Sequence, residues 1–269
     1  MEKKKVLIIT QEMEPYTALS EISRIARKLP QYIQEKGFEI RVLMPRFGTI
    51  NERRHRLHEV VRLSGMNIIV DDDDFPLIIK VASIPKERMQ VYFIDNDEYF
   101  KRKAIFSDED DQLFSDNDER AIFFAKGVVE TVKKLNWAPD IIHVHGWMAS
   151  LLPLYIKEYY SEEPLFSESK IVTSVYDKDF EGSLNTELVE KIKFDKISDE
   201  KTNILKEPNY TNIIKSAVSN SDAIVKGSKQ IPDEIDEEII KNEIPALSFQ
   251  EEDSFESYLN FYEELISEE

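Results

Sequence analysis

The sequence predicts an α/β protein built on an open, doubly wound parallel sheet with a short antiparallel insertion. Three observations carry this. The first 45 residues alternate strand, helix and strand, the opening of a parallel βαβ unit. An apolar, β-branched run at residues 141–144 enters the turn His145-Gly146-Trp147, and a helical apolar pattern (Met148, Leu151, Leu152, Tyr155) follows at once. After that helix, Lys170–Val175 repeats the signal of a buried strand.

Taken in order, Lys5–Thr10 (K-V-L-I-I-T) reads as the first buried strand. Leu19, Ile22, Ile25, Ala26, Leu29 and Ile33 recur at helical spacing, with Ser20 as the cap and Gly37 as the stop. Residues 39–44 form the second strand, closed by Pro45. The rhythm then changes. Residues 55–63, 66–70, 76–82 and 89–94 read as short strands joined by turns, an antiparallel excursion from about His55 to Asp95. One turn is Asp71-Asp72-Asp73-Asp74, which lacks the glycine and following glutamate of a calcium loop. Residues 116–135 form a helix with an acidic start and a lysine-rich end, which suits the helix dipole. Residues 209–218 form another helix and 222–225 a last short strand. Residues 1–230 make one domain. Residues 231–269 form an acidic tail with one helical pattern (Phe255, Leu259, Tyr262, Leu265), either packed back on the domain or frayed from it.

Composition narrows the function. Hydrophobic residues make up 41% of the 269, enough for a core. The net charge of -18 repels phosphate backbones and anionic bilayers, so neither nucleic acid nor membrane is an expected partner. Absence of cysteine excludes disulfides, thiolate metal sites and cysteine nucleophiles. The basic start Met1-Glu2-Lys3-Lys4-Lys5 precedes an apolar stretch shorter than the roughly 7–15 residues of a signal-peptide core, so the expected compartment is the cytoplasm.

Several blocks in order then resemble the N-terminal half of bacterial glycogen synthases and plant starch synthases, glycosyltransferase family 5. They are K-V-L-I-I-T-Q-E-M-E-P-Y, L-P-Q-Y-I-Q-E-K-G-F-E-I-R-V-L-M-P-R-F-G, V-Y-F-I-D-N-D-E-Y-F-K-R, D-N-D-E-R-A-I-F-F-A-K-G-V-V-E, P-D-I-I-H-V-H-G-W and, more weakly, A-V-S-N-S-D-A-I-V-K-G-S. The resemblance implies a Rossmann-like domain, the acceptor-side half of a GT-B transferase. It also implies a metal-free reaction that moves glucose from ADP-glucose to an α-1,4-glucan, with no cofactor.

The match departs where that chemistry sits. The family's first loop carries a lysine followed by two glycines; Ala18, Ser20 and Glu21 stand there, in a register held by Pro15 and Pro30. Gly146 replaces the aspartate of the family's His-x-His-Asp-Trp, and Val175 stands where a histidine is expected. A lysine supplies a cation for phosphate, and glycines let backbone N–H groups approach it. Glu21 instead puts an anion at the anion site. Only one Rossmann-like unit is legible in the 269 residues, and the donor-binding motifs of the second have no counterpart. The expectation is therefore a synthase-like chain that does not transfer glucose alone and holds ADP-glucose weakly or not at all. It carries no catalytic residue and no metal site. Glu12, Tyr16, His145 and Trp147 form its expected glucan-facing set. His143, inside the buried run, is expected as a hydrogen-bonded core residue. Two alternatives stay open: a glucan-binding or regulatory module, and an interaction subunit that forms a homo- or hetero-oligomer with another transferase chain.

Overall fold

The computed structural model describes residues 3–84, 87, 89–251 and 254–267. Strand β1 (Lys5–Thr10) is buried along almost its whole length, because both faces of the sheet are covered. Helix α1 (Glu21–Glu35) starts at a capping box. Ser20 Oγ accepts from Ser23 N at 3.0 Å, and Ser20 N donates to Ser23 Oγ at 2.7 Å. Leu19 lies before this cap and is 63% exposed, so it is not part of the helix's apolar stripe as its spacing suggested. Strand β2 (Glu39–Pro45) follows, then a single turn α2 (Glu52–His55) capped by Asn51.

The insertion is smaller than the sequence predicts. Residues 55–63 yield only the two-residue strand β3 (His58–Glu59); β4 (Met66–Val70) and β5 (Asp73–Ile84) form an antiparallel hairpin through the exposed aspartate turn. Strand β6 (Met89–Asp95) is antiparallel to β5 but parallel to β2, so it belongs to the main sheet. The burial patterns show the reason. β5 alternates buried and open positions, whereas β6 is covered on both faces over its last five residues.

A short turn α3 (Asp97–Phe100) leads to the long buried helix α4 (Asn117–Leu135) and then to β7 (Ile141–His145). The predicted helix after β7 is irregular. It opens as a 3₁₀ turn (Trp147–Ala149), passes through one α turn, α5 (Leu152–Leu154), and ends as a π turn (Tyr155–Tyr159). Pro153 cannot donate a backbone hydrogen bond, which suits so broken a start. Strand β8 (Lys170–Val175) follows, then α6 (Leu188–Phe194) and α7 (Asp199–Thr202), two short helices that the sequence left unassigned. Helix α8 (Tyr210–Ser219) and β9 (Ala223–Lys226) match expectation to within a residue or so.

The segment after residue 231 is folded. Helix α9 (Asp233–Lys241) packs on α8, and β10 (Ala246–Leu247) adds a parallel edge strand beside β9. Helix α10 (Phe255–Ser267) lies against α1, where Glu256 bonds both Tyr32 and Lys36. The strand order is β10-β9-β8-β7-β1-β2-β6-β5-β3, parallel from β10 to β6. The chain winds outward from β1 through β2, returns, and winds the other way from β7. The carboxyl ends of β1 and β7, paired at Thr10 and His145, therefore flank the crevice where such sheets take ligands. No helix among the described residues is long and apolar enough to cross a membrane.

Candidate functional site in the crevice between β1 and β7

Gly146 ends β7 with φ +87°, a left-handed conformation that side chains rarely tolerate. A Cβ built there would meet the side chain of Gln11 at 2.3 Å. Gln11, just past β1, is fully buried and spans the space. Its Oε1 accepts from Met148 N at 3.1 Å, and its Nε2 donates to Asp179 Oδ2 at 2.8 Å. The carboxamide of the residue that follows β1 thus occupies the volume into which a side chain at position 146 would project.

Glu12 is half-buried beside it. Ser20 Oγ donates to Glu12 Oε2 at 3.0 Å, so one hydroxyl both caps α1 and holds this carboxylate. Desolvation raises the pKa of Glu12, opposed by the Ser20 hydrogen bond and reinforced by the charge of Asp179. The pKa of Asp179 is also raised, by desolvation of its carboxyl group against the hydrogen bond from Gln11. Glu21, at the first position of α1, accepts from Ser228 Oγ at 2.6 Å, and Ser228 Oγ in turn accepts from Asp177 N at 3.2 Å. Glu12, Ser20, Glu21, Asp177 and Asp179 line one small pocket at the amino end of α1, with Tyr176 as a wall. Lys178 lines it as well, with its Nζ paired to Glu181 at 2.6 Å, so carboxylates outnumber cations in the lining.

Ser20 is therefore a point of leverage. Ser20→Ala is expected to cost about 1 kcal/mol in urea denaturation, and Ser20→Gly only a few tenths. Equal costs would show that the cap does not govern this helix start.

The histidines lie beneath the pocket. His143 is fully buried, with Nδ1 bonded to Tyr262 Oη of α10 at 2.5 Å and Nε2 to Ser174 Oγ at 2.8 Å. His145 is also fully buried. Its Nδ1 meets Tyr176 Oη at 2.7 Å, and its Nε2 has no partner among the described residues. The two rings stack at 4.0 Å between centroids. Burial holds both pKa values down, His145 to about 3 and His143 well below the ordinary value, so both are neutral near pH 7.

Three of the four expected glucan-facing side chains are thus placed under the surface. Trp147 is 1% exposed, between Phe106 and Phe180 at 4.9 and 5.1 Å. Tyr16 is 7% exposed, edge-on to His55 and Phe93, and its hydroxyl pKa is pushed up to about 12 by burial. His145 lies behind Tyr176. Trp147 and Tyr16 are large rings that pack against neighbouring aromatics, and His145 belongs to a strand covered on both faces. Only Glu12 reaches the pocket. Gln11, Tyr176 and Ser228 belong to the site and gave no sequence signal, since their partners are distant in the chain. Asp179 joins the site through its bond from Gln11 Nε2, across 168 positions of the chain. No group of three or more histidine or carboxylate side chains among the described residues is arranged to hold a metal ion.

The starch synthase catalytic domain family matches residues 5–247 of this sequence. The chain belongs to the glycogen and starch synthase family. It is 36% identical over 250 residues to the glycogen synthase of Chlorobium luteolum, covering 92% of this chain and 49% of that protein. Its identity to the glycogen synthase of Chlorobaculum tepidum is 41% over 175 residues, covering 64% of this chain and 36% of that one. The catalytic domain of starch synthase IV from Arabidopsis thaliana, solved bound to ADP and acarbose, shares the fold with a TM-score of 0.74 at 15% identity. That match covers 92% of this chain and 51% of that chain. The chain spans about half the length of the synthases it matches. Within the synthase fold, the carboxylate pocket sits at the amino end of α1, and the Gln11–Gly146 pair closes the turn after β7.

Proposed function

We propose that this member of the synthase family binds an α-1,4-glucan end at the amino end of α1 and does not take ADP-glucose there. One observation carries the reading: Glu12, Glu21 and Asp179 crowd the position where an open helix end would receive an anion. The amino end of a helix ordinarily attracts phosphate through its free N–H groups and dipole. Here Ser20 Oγ occupies the Ser23 N–H, and Glu21 brings its own negative charge to the first turn. A like-charge contact at about 4 Å costs roughly 1 kcal/mol in bulk water and about 4 kcal/mol at the effective dielectric of a protein surface. A diphosphate facing several carboxylates loses correspondingly more, and the lysine of the lining, Lys178, is already paired with Glu181. A neutral sugar instead gains, because its hydroxyls donate charge-assisted hydrogen bonds to the same oxygens.

Calorimetric titration separates the two ligands. Maltotriose is expected to bind, with affinity reduced about tenfold in the Glu12→Gln variant. ADP-glucose is expected to give no binding heat at millimolar concentration. Tighter binding of ADP-glucose than of maltotriose would sink the proposal, as would transfer of labelled glucose from ADP-glucose to glycogen by the purified chain.

A further inference from the structure

A second cleft opens on the other side of Glu21. It runs along α1, where Glu21, Arg24, Ile25 and Lys28 share one face by their spacing, and its far wall is aromatic: Phe249, Phe255 and Tyr258. Residues 21–28 extend it by about 10 Å at 1.5 Å per residue, room for more than one pyranose ring. The two clefts are contiguous. Glu21 lines both, and its carboxylate is fixed between them by Ser228. Gly227 floors the second cleft, and the ring of Tyr176, a wall of the first, fills the space beside it. A Cβ at Gly227 would meet that ring at 2.5 Å.

From this continuity we infer that the two clefts form one groove for a linear, neutral oligosaccharide, with its end in the carboxylate pocket and its following residues on the aromatic wall. The inference rests on the glucan reading of that pocket and adds a site which that reading does not contain. Three features select the occupant. Among the described residues the charged lining carries both signs, Arg24 and Lys28 beside Glu21 and Glu251. Aromatic rings offer the flat apolar faces against which the C–H sides of pyranoses pack, while the carboxylates take their hydroxyls. Phe249 is half-buried yet lies outside the hydrophobic cluster of the described residues, whereas Phe255 packs against that cluster and on Tyr32 at 5.7 Å. Phe249 therefore has apolar surface not committed to the core. The aromatic wall also lies outside residues 5–247, which the family model matches.

The test is chain-length dependence of binding, read by calorimetry on the full chain with maltotriose and maltoheptaose. Maltoheptaose is expected to bind about tenfold tighter, the size of one well-placed aromatic contact. In Phe249→Ala, with its circular dichroism unchanged, the two sugars are expected to bind alike. Backbone amide resonances of residues 249–251 should shift with maltoheptaose and stay in place with maltotriose. Equal affinities in the parent, or a length gain that survives Phe249→Ala, would overturn the groove and leave the carboxylate pocket standing. Absence of heat with either sugar would overturn both.

Discussion

Acidification from pH 7 to pH 5 is expected to remove about 4 kcal/mol of stability through two side chains, His143 and His145. Both are fully buried and neutral, with pKa values held below the ordinary 6.5, His145 near 3. Below pH 6.5 the unfolded chain binds a proton at each histidine and the folded chain does not. The unfolded state therefore gains with every step of acidification, and stability rises with pH across this window. The stacked rings sharpen the effect, since a proton on one would face the other at 4.0 Å between centroids. Glu12, Asp118 and Asp179, whose pKa values are raised, pull the other way as the pH nears their range. Urea denaturation at pH 7, 6 and 5 measures the slope, and His145→Asn should roughly halve it. A flat profile, or an unchanged slope in the variant, would show that the imidazoles find protons in the folded state.

Gly146→Asp, the substitution that restores the residue of the synthase motif, is expected to destabilise this chain by about 3 kcal/mol or more. Two costs combine. The backbone at φ +87° is strained for any residue with a side chain, and the new Cβ would lie 2.3 Å from buried Gln11. Gln11 cannot swing away freely. Doing so would strip Met148 N and Asp179 of their partner inside the fold. The double variant Gln11→Ala with Gly146→Asp removes the overlap but not the strain, so about 1–2 kcal/mol should return as a coupling term. Neither variant is expected to gain ADP-glucose binding, because Glu21 remains. A Gly146→Asp protein as stable as its parent would show that Gln11 does not hold this turn.

The sheet was largely legible in the sequence because burial on both faces leaves a local mark. Strands β1, β7 and β8 show it, each a short run buried along all or nearly all of its length. The start of α1 was equally readable, since a cap and its partner lie three residues apart. Strand β6 was placed beside its antiparallel neighbour β5, but its parallel pairing with β2 was not foreseen, because a buried strand reads the same whether its neighbour is parallel or not. The two-residue strand β10 is too short to carry any period, and the π turn after β7 follows from no pattern of apolar spacing.

By itself the sequence determined the family and the doubly wound sheet, and it placed Ala18, Ser20 and Glu21 in the first loop. Each of these is written in residues that are neighbours or sit at fixed spacing. Tertiary structure alone decided which side chains meet in the crevice. Gln11 meets Met148 across 137 positions and Asp179 across 168, and Ser228 reaches Glu21 across 207. It also decided that His145 and Trp147 are buried and that the tail supplies an aromatic wall beside α1. Such contacts depend on how sheet and helices close on one another, and side chains that meet only after closure leave no periodicity behind.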